Sequence, residues 1–402
     1  MGDVLIVLLV IAAAVGIGVA IWALLRHRYV QSLRERGWTF ITSPDISIVH
    51  QLNVPPFGVG FRRSVDDQIV GAAPDGTPFS AFRYKSSNWS SAGYVVAMPL
   101  GRSLPAGEVA SLSGPRMAIA GHTFSHGQAR ATAPDGGYAQ QLLAAMGPVL
   151  RGPWRVTVDH HNLILIDAPK DAESLAAAVA ELAELRTSLL NSPAAQLQGP
   201  TPPPGLSFYE RPWWNYLARD DSYLQLISHS RGGSHHTASD IIFSDNAGLP
   251  FIRLRHEWQT TRTVTDSEGR TRTETDHHSE ELCEFRITFP FRPISVNWGW
   301  FGKSQTFELE AFNERVKVRA PDERFASHVI HQRQMEYLLR LGAPSFSVEG
   351  DGRVLVGDSG DWLPADIDRA DHLLRGFFAN VPDFVWKDLG AWPRPIPELE
   401  AH

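Results

Sequence analysis

The residues best equipped for chemistry in this chain are histidines, and they crowd its second half: His229, His235, His236, His256, His277 and His278. Neutral imidazole is a common zinc ligand, but three or four ligands must converge, often with a carboxylate behind them. Glu257 and Asp276 are close enough in sequence to take part. His256, His277, His278 and Glu257 are therefore the candidate metal ligands. Their placement depends on a hairpin over residues 257 to 281, turned at Asp266-Ser267-Glu268-Gly269. Pairing Thr265 near Arg270 would bring His256 near Ser279 and set Glu257 across from His278, with His256 on the other face. Convergence is then partial, and exposed hairpin histidines are the simpler reading. His256-Glu257 lacks the second histidine of a zinc-protease helix.

Gly357-Asp358-Ser359-Gly360-Asp361 has the spelling of the nucleophile loop of trypsin-like proteases. Such a serine needs a histidine base and a buried Asp in register. This run instead falls between a hairpin and a helix, where Gly, Asp and Ser serve as turn and cap residues. The corresponding Asp167-Ala168-Pro169-Lys170 has no serine. His160 and His161 sit at a hairpin tip, and His122 and His126 lack a third partner. No catalytic residue is assigned. Neither dinucleotide nor Walker glycine motifs occur, nor Cys-x-x-Cys, so no cofactor is expected. Cys283 is the only cysteine and can close no internal disulfide. Asn88-Trp89-Ser90 spells a glycosylation site, which a cytoplasmic location would make irrelevant. Trp298 and Trp300 read as packing residues.

Composition sets the frame for these residues. A length of 402 residues favours two or three domains, and 43% apolar content favours folded cores over disorder. The net charge of -7 argues against a nucleic-acid partner. Arg carries most of the basic charge in an Ala-, Gly- and Pro-rich chain, which fits a GC-rich bacterial genome.

The elements that must position the candidates come in two related sets. Gln68-Ile69-Val70, Asp75–Phe79 and Phe82-Arg83-Tyr84 recur in order as Ile241-Ile242-Phe243, Ala247–Phe251 and Leu254-Arg255-His256. Tyr94–Pro99 matches Phe285–Pro290, Ala133–Ala139 matches Ala320–Ala326, and Trp154–Ile166 matches Ser345–Val356. A repeat this long points to a duplicated domain rather than a solenoid unit. Copy 1 is placed at 28–190 and copy 2 at 206–390, with the 257–281 hairpin inserted in copy 2. A Pro-rich linker at 191–205 is expected to act as a semi-rigid spacer, and residues 391–402 form a tail. Each copy reads as antiparallel strands followed by two packed helices. Pro364 to Asn380 is the closing helix of copy 2, with Ile367, Leu374, Phe377 and Phe378 on its buried stripe, and Asp171 to Leu190 closes copy 1. The fold class expected is α+β.

Residues 1–27 carry the remaining signal. Val4 to Leu25 contains no charge, and at ~1.5 Å per residue it is long enough for a hydrocarbon core of roughly 30 Å. Asp3 precedes the run, while Arg26, Arg28, Arg34 and Arg36 follow it, which predicts a transmembrane anchor rather than a cleaved signal. Positive charge stays inside, so the expected topology is single-pass in a bacterial plasma membrane, N-terminus outside and the remainder cytoplasmic. The expected partners are the lipid bilayer through residues 4–25 and an unidentified protein. The spacing of Ala12, Gly16 and Ala20 is compatible with a homodimer.

Val316–Ala320, Glu336–Leu339, Ser345–Val348 and Gly352–Val356, with Arg36-Gly37-Trp38 and Pro56-Phe57-Gly58 upstream, resemble a family of uncharacterised bacterial membrane-anchored proteins. The resemblance covers most of the chain. It implies an anchored α+β protein and supplies no catalytic residues. The leading functional expectation is a non-enzymatic binding or scaffold protein using the inserted hairpin for contact. The alternative is a membrane-bound metal-dependent hydrolase using the histidines of copy 2.

Overall fold

The computed structural model describes residues 2–265, 271–299, 304–342, 344–357 and 360–396, with side chains from residue 15 onward. The chain divides into two compact units, residues 1–212 and 213–402. The first contains α1 (Gly2–Arg34), β1 (Thr39–Ile41), β2 (Ser64–Ala72), β3 (Pro78–Ser86), β4 (Trp89–Ser90), β5 (Tyr94–Pro99), β6 (Gly107–Ser111), β7 (His122–His126), β8 (Ala129–Ala133), α2 (Gly136–Met146), β9 (Arg155–Asp159), β10 (Asn162–Ala168) and α3 (Ala172–Leu190). The second contains β11 (Asn215–Arg219), β12 (Ser234–Ser244), β13 (Phe251–Thr265), β14 (Thr271–Arg286), β15 (Ile294–Trp298), α4 (Glu310–Arg315), β16 (Val316–Arg319), α5 (Glu323–Val329), α6 (Gln332–Leu341), β17 (Ser345–Val348), β18 (Arg353–Gly357), α7 (Pro364–Ala379) and α8 (Asp383–Asp388).

Every strand pairing in both sheets is antiparallel among the described residues, so the expected α+β class holds. The first sheet runs β1-β2-β3-β5-β10-β9-β6-β8-β7, with β4 pairing to β3. The second runs β11-β12-β13-β14-β18-β17-β15-β16. In unit 1, α2 and α3 bury Tyr138, Leu142, Leu175, Leu182 and Leu185 in the same core as the sheet residues Val109, Val156 and Leu165. Each fully buried leucine contributes about 1.5–3 kcal/mol by leaving water. Asp135 and Asp171 cap the two helices through backbone N–H groups at 2.7 and 2.8 Å. In unit 2, Asp322 caps α5 in the same way at 2.9 Å, and Phe377 of α7 packs edge-on against Phe346 of β17.

The transmembrane expectation is corrected. Among the described residues, no helix is long and apolar enough to cross a membrane. The reading of the chain as a single-pass membrane protein is corrected with it. The end of α1 is occupied in packing on unit 1. Leu33 is fully buried in the core, Tyr29 Oη donates to Tyr94 Oη at 3.3 Å, and Arg26 reaches Asp67 at 3.4 Å. Val15 through Leu25 are exposed. The portion of the expected span at residues 4–14 lies outside those whose side chains are described.

Residues 191–205, read as a spacer, lie against unit 1. Ala194 and Ala195 are buried, Arg102 donates to the Ala195 carbonyl, and Ser103 Oγ donates to the Pro200 carbonyl at 2.6 Å.

Candidate metal centre

The site grows out of the long ribbon formed by β13 and β14. Its register is Thr265 with Thr271, Glu257 with Ser279 and His256 with Glu280. The connection is therefore five residues long, 266–270, and the register differs by one from the sequence expectation. A shift of one residue exchanges the faces of a ladder. Glu280 consequently shares a face with His256, and so do Trp258 and His278, whereas Glu257 turns to the opposite face and pairs with Arg255 at 2.9 Å.

The second structural device is a bulge in β12. Ser234 pairs with Gln259 and Thr237 with Glu257, so His235 and His236 together stand across from Trp258. His235 has φ 55, the left-handed conformation that absorbs the extra residue. Re-aimed in this way, His236 brings its Nδ1 to 2.9 Å from His256 Nε2. A third imidazole comes from the loop before β12. His229 lies 4.6 Å from His256 and 5.9 Å from His236, ring centre to ring centre.

His229, His236 and His256 each offer a nitrogen, all within 4.8 Å of one another. In a tetrahedral zinc site with bonds near ~2.1 Å, ligand nitrogens stand about 3.4 Å apart. The His236–His256 pair is already at that scale, and His229, the exposed member, closes the remainder by side-chain rotation. His256 is fully buried. Its other nitrogen, Nδ1, is 3.0 Å from Glu280 Oε1. A proton on Nδ1 donated to Glu280 leaves Nε2 facing the other imidazoles. This carboxylate behind a ligating histidine fixes tautomer and ring orientation in metal sites.

The surroundings suit that role. Arg231 donates to Glu280 at 2.9 Å and lies over the Trp258 ring. Burial pushes the Glu280 pKa up, yet hydrogen bonds from Arg231 and His256 outweigh it and hold the carboxyl below its ordinary value. His229 is held below the ordinary histidine range, first by burial and then by the neighbouring imidazoles. It stays neutral, the form a metal takes. Trp258 stacks on His256 at 4.9 Å and floors the cluster.

Of the residues singled out in sequence, His256 enters the cluster. His278 stacks on the far side of Trp258 and contacts Thr260 Oγ1 at 2.7 Å. His277 pairs with Gln259 in the ladder, on the face opposite His256. His236 and His229 were visible as histidines, but only the bulge and loop bring them in. Glu280 carried no signal beyond its even spacing from His278, readable once the register is known. In the protease-like run, Asp358 and Ser359 lie outside the described residues.

No family model and no curated protein matches this chain. A solved structure, the mycobacterial trehalose monomycolate transport factor A, TtfA, is similar at 9% identity and TM-score 0.29 over 40% of this chain and 93% of its own. Likeness at that level carries no argument about function.

Proposed function

We propose that this chain is a metal-binding protein whose second unit takes one zinc-class ion through His229, His236 and His256. The observation that carries the reading is the convergence of three imidazole nitrogens within 4.8 Å, the buried one backed by Glu280. Three neutral nitrogens suit zinc, copper or nickel over magnesium or calcium, which prefer oxygen. A three-histidine set leaves the fourth position to a water or another ligand. The exposure of His229 supports a fourth position open to solvent. That feature favours a second reading, a metal-dependent hydrolase in which the ion lowers the pKa of bound water.

The test is a zinc titration of the full chain against a chromophoric chelator. One equivalent should bind, and His229→Ala, at an exposed position, should lower affinity by roughly 100-fold without altering the fold. Equal affinity in that variant would remove the proposal. Ester or phosphoester hydrolysis that requires zinc and disappears in the same variant would shift the conclusion to the hydrolase.

A further inference from the structure

Two of the three imidazoles stand on strands, and the third does not. His236 belongs to β12 and His256 to β13, and the ladder between those strands fixes both. His229 comes from residues 228–233, which form neither helix nor strand and are exposed throughout. This segment is nonetheless tied at three places. The Ser228 N–H donates to Glu284 of β14 at 3.1 Å, next to the buried Ile227. Arg231 Nε donates to Glu280 at 2.9 Å, and its guanidinium lies 5.6 Å from the centre of the Trp258 ring. Gly233 enters β12 with φ 127, and a Cβ there would stand 2.4 Å from the Gln259 carbonyl oxygen. Glycine alone lets the backbone approach the ribbon so closely.

The ties are unequal. The two ends are held by backbone contacts and by the core beside Ile227. The middle is held by one ion pair, in which the Arg231 side chain is 54% exposed. A pair so open to solvent yields readily, and an exposed segment with few buried contacts opens at low cost. Gly232 supplies a joint, since a Cβ on it would meet nothing within 4 Å. Small residues of this kind absorb the backbone change of a hinge. An ion held by all three nitrogens binds the closed segment better than the open one, and so draws the population to the closed form.

Resting on the metal reading above, we propose that residues 228–233 are a strap that closes over the metal centre. His236 and His256 are its fixed platform. His229 is the last ligand to engage and the first to leave, and Arg231 is the latch. The strap sets how fast the ion enters and leaves, so the site exchanges its ion with an outside chelator instead of sealing it in.

The experiment is limited trypsin digestion of the full chain with and without one equivalent of zinc, with cleavage sites read by mass spectrometry. Zinc should slow cleavage after Arg231 by about tenfold or more, because the cut requires the segment to open. Cleavage after Arg116, an exposed residue of unit 1, should keep its rate. In His229→Ala saturated with zinc, the protection should vanish. Arg231→Gln should speed zinc loss to excess EDTA by about threefold, the scale of an exposed ion pair, and Arg231→Lys should restore the slower rate. Zinc binding without any change in cleavage after Arg231, protection that persists in zinc-saturated His229→Ala, or an off-rate indifferent to Arg231→Gln would overturn the strap and leave the metal site standing. No zinc binding at all would remove both.

Discussion

In unit 1, Tyr84 stands across the ladder from Val65, and in unit 2 His256 stands across from Ala238. Both strands that face them carry the same irregularities. The register shifts between Asp66 and Ile69 and between Ser239 and Ile242, and Asp67 and Asp240 both have φ 50. Arg62 and His235, five residues earlier in each, have φ 52 and 55. The contents of this common frame differ. Tyr84 is fully buried against Phe57 at 4.9 Å, its Oη donates to the Phe57 carbonyl at 3.2 Å, and burial raises its pKa to about 12. The place that Glu280 takes across from His256 is held in unit 1 by Ser91, whose N–H donates to the Tyr84 carbonyl. One site is an aromatic plug, and the other is a cluster of titratable groups. The same backbone geometry therefore serves packing in one unit and candidate ligation in the other. Side-chain identity at two or three positions decides which.

The largest expected effect comes from making unit 2 resemble unit 1. His236→Arg with His256→Tyr should lower zinc affinity by more than roughly 100-fold, since two of three ligands are gone. Circular dichroism would verify that the sheet persists. Retained zinc affinity in a folded double variant would break the comparison.

Next is the carboxylate behind the cluster. Glu280→Gln leaves all three imidazoles in place but weakens the acceptor on His256 Nδ1, and should lower zinc affinity about 10–100-fold. No change would mean that Glu280 serves only its ion pair with Arg231.

The two units also treat carboxyls in opposite ways, Asp159 being fully buried and Glu280 only partly so. Glu280 is held low by its partners, whereas burial pushes Asp159 up to about 8 against two backbone hydrogen bonds that lower it. The unfolded Asp159 loses its proton near the ordinary 3.8, while the folded one keeps it until about pH 8. Its contribution to stability is therefore complete below pH 3.8 and is lost as pH rises toward 8. Urea unfolding of the metal-free chain between pH 4 and 8 should show this decline, and Asp159→Asn should flatten it. An identical pH slope in the variant would contradict the assignment.

The smallest effect is expected at the residues that sequence alone favoured. His278→Ala and Glu257→Gln should leave zinc affinity within about twofold, because neither side chain reaches the cluster. A large loss in either would move the site along the ribbon.

These contrasts show what a sequence can disclose. The strand-and-helix content was legible because turn residues and apolar spacing are local. The stripe of α7, with Ile367, Leu374, Phe377 and Phe378, could be read directly. The long ribbon was legible too, but its register depended on whether the turn holds four residues or five, and that single residue decides whether Glu280 and His278 share a face with Glu257 or with His256. The β12 bulge left no local mark beyond the doublet His235-His236. Its consequence, His236 against His256, is a contact between strands. The apolar run at residues 4–25 illustrates a different limit. Hydropathy reads composition along a helix but not that Tyr29 and Leu33 near its end are committed to a core. The run at 191–205 misleads for a similar reason, since a Pro-rich stretch reads as a spacer until Ala194 and Ala195 are seen to be buried.

The most direct test of the central claim is zinc K-edge X-ray absorption on the full chain loaded with one equivalent of zinc. Three imidazole nitrogens at about 2.0–2.1 Å with one further light ligand are expected. That signature should disappear in the His236→Arg, His256→Tyr double variant. A shell of oxygens without imidazole scattering, or an unchanged spectrum in that variant, would contradict it.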